Sequence, residues 1–592
     1  MKSSGQTNGD VAATGLRHFI RRGSFIESLG TNYRQRLVIG FMYLMLIWFV
    51  VVFLIVPNLN TLMFVLFQDG EFTLKAFSRI MSSQRALNSL RNSFMLAPVL
   101  CLTVGLIGVS FVLITEYFEI KGTKILRVGY MTTLVYGGII LVAGYLFLYG
   151  RGGYLTNILT TIFPGLSPNW FSGFWGVLFV LTFATTGNHI IFLRNAMGNV
   201  DYQTVEAAKN MGASQFTILR RIVLPVLLPS LLAVTILTFM TGLTATSAPL
   251  LVGGRDFQTI NPMILQFSRM AGSRDLAALM AIILGAATMI LVFLLSQLEK
   301  RGHYLSASKV KTSIVKQKIQ NPVVNVLVHI YAWFMFFVYV SPVVLIVLFS
   351  FTNSATIGRR QLDLSVMTLD NYIGVFSRVS SYRPLLVSVV YALIAAAAVA
   401  VLIIIVCRVI TRYKNKLSAA LEYGFMIPWL LPAVLVALGL ITTFNLPRWF
   451  MFNRVLTGTM FILVLGYMII RMPFTLRITR AAFFSIDHQL EDAARNLGAG
   501  TLYTFFRVIL PVILPSILAI FALNYSLLMQ DFDMSVFLYH PVNMPLAVQI
   551  QTLTEDSAVD NTHITLVYAV LMMIISSIII YLVYGRGAKV NE

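Results

Sequence analysis

Charge is scarce in this chain. Asp, Glu, Lys and Arg make up 11% of its 592 residues, against roughly 25% in soluble domains. With a mean hydropathy of +0.81, that scarcity excludes a protein folded in water and calls for a bilayer. Cysteine is scarcer still. Cys101 and Cys407 both lie in apolar runs, so a disulfide framework and a cysteine metal centre are excluded, and both are expected to be small packing residues. A G-x-x-x-x-G-K-[ST] loop is missing, so the chain does not cradle ATP in that manner. The apolar runs carry no paired carboxylates, His-rich cluster or nucleophile constellation, which argues against a membrane-embedded enzyme. His189 has no His, Cys or acidic neighbour at ligand spacing; it reads as a helix-packing residue, and no metal site is predicted.

What the chain has in quantity is apolar length. A helix crosses the roughly 30 Å hydrocarbon layer in about 20 residues, and twelve runs qualify. They lie near 37–57, 93–115, 127–149, 171–193, 224–245 and 277–298, then near 324–350, 386–407, 419–443, 456–476, 510–530 and 563–585. The first follows Arg17, Arg21, Arg22, Arg34 and Arg36 without a small-residue cleavage site, and is expected to be a retained helix rather than a signal peptide. Most of the 44 Lys and Arg fall on the side of the N-terminus. By the excess of such residues in cytoplasmic loops, both termini are predicted to be cytoplasmic, in a multi-pass protein of the plasma or inner membrane. The net charge of +21 is then largely a property of the cytoplasmic face. Its cations are scattered over short loops beside the spans and form no nucleic-acid module, so no nucleic-acid partner is predicted.

The chain is written twice, which decides the fold class. A shift of 286 residues superposes Arg194 on Arg480, Asp201 on Asp487, Gln203 on Gln489, Asn210 on Asn496, Arg221 on Arg507, and Pro225 and Pro229 on Pro511 and Pro515. Six spans per half is an even number, so the halves share one orientation and are related by an axis along the membrane normal. The prediction is an all-α polytopic membrane protein of twelve helices in two parallel six-helix halves. Its expected parts are a cytoplasmic segment 1–36, a first half 37–298, a basic cytoplasmic linker 299–322, a second half 323–585 and a tail 586–592.

The repeated segment lies between the fourth and fifth spans of each half, on the cytoplasmic side. Asp201 and Asp487 suit helix N-caps, the Ala-rich run favours helix, and Gly212 and Gly498 stand where a left-handed residue would end it. Ser214 and Thr501 could cap a second helix running into the next span. Val205, Ala208 and Met211 share one side at helical spacing. A short helix fixed to a membrane helix by a tight turn can dock in a groove of a partner and transmit its motion. The same sequence could also form an amphipathic loop on lipid headgroups, but two copies at one topological position favour two docking sites for a two-fold partner.

The pattern E-A-A, three residues, G-A, then L-P and a further P resembles the EAA coupling loop of type I ATP-binding cassette importer permeases. The first copy carries it as Glu206, Ala207, Ala208, Gly212, Ala213, Leu224, Pro225 and Pro229. The second carries Asp492, Ala493, Ala494, Gly498, Ala499, Leu510, Pro511 and Pro515. Asp492 departs from the expected Glu, with Glu491 just before it. The resemblance covers nearly the whole chain. It implies coupling helices seated in two separate ATP-binding cassette ATPase subunits, which would bind the ATP and magnesium, with no cofactor held by this chain. It also implies an extracytoplasmic substrate-binding protein and alternating access driven by closure of the ATPases. Fusion of both halves in one chain looks most like the ferric iron transport permeases; thiamine, aminoethylphosphonate and polyamine permeases stay open.

Candidate path residues follow from the fifth spans, which leave the coupling segments directly: Thr238, Thr241 and Thr244, and Asn524, Ser526 and Gln530. Ordinary helix packing explains such polar residues equally well. Beyond the second fifth span come Asp531 and Asp533, where the first copy has Ala245 and Ser247; as hard oxygen ligands they could meet a passing cation, a binding protein, or only water. A secondary transporter can also have twelve spans in two halves. It would be expected to carry ionisable groups at mid-depth, of which there are few, and would have no use for a duplicated docking segment.

Overall fold

The computed structural model describes residues 37–301 and 315–582, apart from Asp69, 360–361, Lys414, Asp487 and 556–558. The expected segments 1–36 and 586–592 and most of the linker lie outside the described residues. Eleven helices are long and apolar enough to cross a membrane, or twelve if one bent pair is a single span. The first half contains α1 (Leu37–Leu66), α2 (Gln84–Val112), α3 (Thr123–Tyr130), α4 (Gly138–Tyr149), α5 (Gly173–Met197), α6 (Tyr202–Asn210), α7 (Leu224–Leu243) and α8 (Arg274–Arg301). The second contains α9 (Pro322–Ser350), α10 (Val379–Arg412), α11 (Lys416–Met426), α12 (Ala433–Phe444), α13 (Met460–Phe484), α14 (His488–Asn496), α15 (Leu510–Met529) and α16 (Val559–Ile580). A two-stranded hairpin, Phe67–Gln68 with Glu71–Phe72, is a small addition to the all-α expectation.

The repeat is visible in the elements. α5 and α13 have 25 residues each, α6 and α14 nine, α7 and α15 twenty. A five-residue π turn precedes both α7 and α15, at Leu219–Val223 and Phe505–Ile509, and another sits inside α1 at Val51–Ile55. Proline follows these three turns by two residues, as Pro225, Pro511 and Pro57, while a fourth π turn, Leu113–Tyr117 at the end of α2, has none. Proline has no N–H for the carbonyl four residues back and crowds it, and the widened turn absorbs both faults.

The third run of each half is broken rather than continuous. In the first, α3 and α4 are separated near Gly137 and Gly138, the latter at φ +56. In the second, the segment ending at Trp429 and α12 meet at 105°, before Pro432. Hydropathy stays high across both breaks, so a span-length average hides them.

The halves interlock through their first spans. α1 packs on α12 of the second half, and α9 packs on α3 and α4 of the first. Glycines at matching repeat positions allow the approach. A Cβ on Gly129 would stand 2.3 Å from Phe336, and one on Gly144 2.6 Å from Ile346, both in α9. Their counterparts Gly424 and Gly439, each 295 residues later, would meet Val50 at 2.9 Å and the Pro57 backbone at 3.1 Å, both in α1. The sulfurs sit at helix crossings, Cys101 Sγ 3.5 Å from the Thr235 carbonyl and Cys407 Sγ 4.0 Å from that of Leu476. His189 is fully buried against the α2 backbone at Gly108, and among the described residues no group of three or more His, Cys, Asp or Glu could hold a metal ion.

Candidate functional site

The first coupling segment is built by its caps. The Gln203 N–H donates to Asp201 Oδ1 at 3.0 Å, opening α6. Gly212, at φ +81, ends it with the Gly212 N–H donating to the Lys209 carbonyl and the Ala213 N–H to that of Ala208. The Thr217 N–H donates to Ser214 Oγ at 3.2 Å, capping the helix that leads into α7. Val205 and Ala208 are buried among Leu193, Ile218 and Val223, so α6 is fixed to the base of its own half. Met211 does not share that side: it lies beyond the helix end and is 81% exposed. The solvent face is Glu206, Ala207, Asn210 and Met211.

The second segment presents the same face 286 residues later, with Asp492, Ala493, Asn496 and Leu497 exposed and Leu497 at 89%. Ala494 and Ala499 are half-buried, like a base and a turn packed against their own half. Gly498 is at φ +83. Thr501 is not a cap; the cap position is Gly500, and Thr501 is the first helical residue. Asp487 lies outside the described residues. The two faces are thus alike: a carboxylate, an alanine that lets a partner backbone come close, an amide and a large apolar tip.

What holds them differs. Glu491 is buried and clamped by α10: Arg408 donates through both terminal nitrogens, at 2.8 and 3.0 Å, and Arg412 stands at 3.1 Å. The first segment is tied instead to the inter-half linker. The backbone of Gln317 pairs with Tyr117 and Glu119, while its side-chain oxygen accepts from Lys209 of α6. Gln215 donates to the Lys318 carbonyl and accepts from the Gln320 N–H. Arg194 joins Glu116, with Arg127 at 2.9 Å, and its repeat mate Arg480 pairs with Glu422. None of these partners is close in sequence to its carboxylate or helix, apart from Arg127, and no local pattern marks them.

The path candidates are distributed along the seam. Thr238, Thr241 and Thr244 each donate to the carbonyl four residues back in α7, so their hydroxyls are satisfied within their own helix. Asn524 is fully buried and donates to Thr475 at 2.8 Å; Ser526 is buried beside it in α15. Gln530 crosses between the halves, its Oε1 accepting from the Gly137 N–H at 2.6 Å, so the break in the first third span faces the end of α15. Asp531 is not a free ligand, since its Oδ1 accepts from the Met534 N–H at 3.0 Å and the Ser535 N–H at 3.3 Å. Asp533 faces Thr246 of the first half across the seam.

One charged residue of this seam escaped the sequence reading. Arg471 lies in α13, near both aspartates, and its signal was a lone cation inside a span. Burial, and Asp531 beside it, push the Asp533 carboxyl up to about 7, against the opposing pull of Thr246 and Arg471. A carboxyl raised in the folded state contributes stability below its unfolded pKa of about 4 and loses it as the pH rises through about 7. The thermal midpoint of the purified protein is therefore expected to fall between pH 5 and pH 8, and Asp533→Asn to flatten that slope. A parallel slope in both proteins would remove Asp533 as its source.

A duplicated exposed segment, two interlocked bundles and a polar seam between them fit a transport permease, and the family comparison agrees. The model for the binding-protein-dependent transport system inner membrane component matches residues 28–301 and 400–589, and the chain belongs to that family. Among its relatives, the ABC transporter permease protein y4fN of Sinorhizobium fredii is 37% identical over 534 residues, 90% of this chain and 94% of that protein. The ferric transport system permease protein FbpB of Actinobacillus pleuropneumoniae is 23% identical over 80% of this chain and 68% of its own length. A 2-aminoethylphosphonate transport system permease protein, PhnV of Salmonella paratyphi A, is 27% identical over 28% of this chain and 60% of its own. The chain is therefore the membrane component of an ATP-binding cassette importer, a multi-pass inner-membrane protein.

Proposed function

We propose that this chain forms the translocation path of its importer by alternating access of two fused halves, driven through α6 and α14 by two separate ATPase subunits. The observation that carries this reading is the pair of like faces, Glu206, Ala207, Asn210 and Met211 against Asp492, Ala493, Asn496 and Leu497, at one topological position. In this reading both termini and the linker are cytoplasmic, ATP and magnesium are bound by the ATPases, and a binding protein delivers solute at the outer face. The first half extends over 37–298 and the second over 323–585.

For the solute, ferric iron is the first reading, supported by the ferric permease that aligns over most of the chain. A second reading, an oxyanion-bearing solute such as aminoethylphosphonate, is favoured by one specific observation: a guanidinium stands in the seam beside aspartates already partly occupied. Uptake of radiolabelled ferric iron and of radiolabelled 2-aminoethylphosphonate, in cells with and without this chain, separates them. Loss of ATP-dependent iron uptake alone on deletion supports iron. Loss of phosphonate uptake alone supports the second reading, and retention of both removes both solutes.

A further inference from the structure

Arg471 is the twelfth of the 25 residues of α13. At about 1.5 Å per residue it stands roughly 17 Å from the helix start, near the middle of the span. An arginine at that depth costs roughly 2.5–3.5 kcal/mol on insertion scales, and such residues face a protein interior or a water-filled path and have a partner. This one has no bonded partner. Its Nε is buried without a hydrogen bond, and none of the ion pairs among the described residues includes it. The residue keeps some accessible surface, so the guanidinium is enclosed but reachable.

Its neighbours leave it unused. Asp531 and Asp533 act on it electrostatically yet stand outside ion-pair distance. Asp531 is occupied as the cap of the short helix Ser535–Leu538, through Met534 and Ser535, and Ser535 in turn is held by the Tyr467 hydroxyl at 2.6 Å. Asp533 faces Thr246 of the first half, whose hydroxyl donates to the Thr244 carbonyl at 3.3 Å and accepts from Asn261 at 3.1 Å. One turn below, Asn524 leaves its buried Oδ1 without a partner. The unused donor capacity of this cluster is the fork of Arg471. The first half offers nothing similar, since the repeat puts Thr185, Ala245 and Ser247 at the matching positions.

We infer that Arg471 is the mid-depth recognition group for an oxyanion of the transported solute, a carboxylate, sulfate or phosphonate, met at the seam between the two halves. This rests on the permease reading and deepens the second of its two solute readings rather than the first. A planar fork with free N–H groups binds such an oxyanion through paired hydrogen bonds. The two nearby carboxylates keep the empty site from being a bare charge and weaken the hold on an incoming anion. A transport site needs that balance, because a solute bound too tightly does not leave.

The test uses the full-length chain in lipid nanodiscs, with phenylglyoxal modification of each arginine followed by mass spectrometry. Saturating 2-aminoethylphosphonate is expected to slow modification of Arg471 about tenfold, by occupancy of the site. Arg477, exposed and stacked on Trp429 at 4.5 Å, is the internal control and should react at one rate throughout. Sulfate and acetate as further probes distinguish phosphonate from any oxyanion, and thiamine should protect nothing. By calorimetry, Arg471→Gln should weaken binding of the protecting anion about ten- to a hundredfold, the loss of a charge-assisted pair of bonds, with Arg471→Lys between the two. Equal modification of Arg471 with and without every oxyanion would overturn the inference, and so would an Arg471 that never reacts while Arg477 does. The permease reading is tested separately by the coupling-segment variants, so either can fail while the other stands.

Discussion

Replacing Glu491 by Gln should cut solute import about tenfold while ATP hydrolysis by the partner subunits continues. The clamp from Arg408 and Arg412 is a buried polar tie from α14 to α10 of its half. Removing one partner of a buried ion pair costs roughly 3–5 kcal/mol. Here the side chains of Arg408 and Glu491 keep 17% and 11% exposure, and solvent screens part of the interaction, so about 2 kcal/mol is the expected loss. That is enough to let α14 move with its ATPase while α10 stays behind. Arg408→Lys keeps the charge but loses the fork, and should fall between wild type and Glu491→Gln. The measurement is solute imported per ATP hydrolysed, in vesicles containing the whole transporter. An unchanged ratio in Glu491→Gln would show that the clamp transmits nothing. Among the described residues no ion pair clamps the first segment in this way, so Glu206→Gln, at an exposed position, should affect docking to the partner rather than the tie to its own half.

The contrast between those two glutamates shows what could be read from residues in order. Duplication marked the repeated helix-turn-helix segments, because Asp201, Gly212 and Ser214 act on backbone groups within a few residues and local chemistry suffices to place them. The clamp was illegible for the opposite reason: Arg408 lies 83 residues from Glu491, and only the packing of α10 against the base of α15 brings them together. The broken third spans were half legible. Gly137, Gly138 and Pro432 were visible as punctuation, but the apolar residues around them fill a span-length window whether the helix is straight or bent. Arg471 was hidden by the same averaging, one cation in the run Leu465-Gly466-Tyr467-Met468-Ile469-Ile470-Arg471. The path threonines show why a hydroxyl alone marks no path: in a membrane helix it has its own carbonyl four residues back as a ready acceptor, and Thr238, Thr241 and Thr244 all use it.

Gly212→Val and Gly498→Val should uncouple the machine most completely when combined, with hydrolysis retained, membrane insertion intact and import lowered by tenfold or more. The physical cause is backbone conformation rather than crowding. Nothing stands within 4 Å of a Cβ added at either position, so a side chain fits. Both residues, however, are held at φ near +80, where an L-residue costs roughly 1–2 kcal/mol and a β-branched one more. The cheapest relief is to flip the turn, which rotates the Ala-rich helix away from the span it should drive. The open space makes the argument testable by shape and conformation independently. Asn tolerates the left-handed region, so Gly212→Asn and Gly498→Asn should import at close to the wild-type rate although Asn is as large as many residues that would fail there. If the Asn variants fail as badly as Val, the obstacle is bulk in the partner's groove, and the turn is a contact rather than a joint. If both Val variants import normally, these segments do not couple ATP hydrolysis to transport, and the proposed mechanism falls with them.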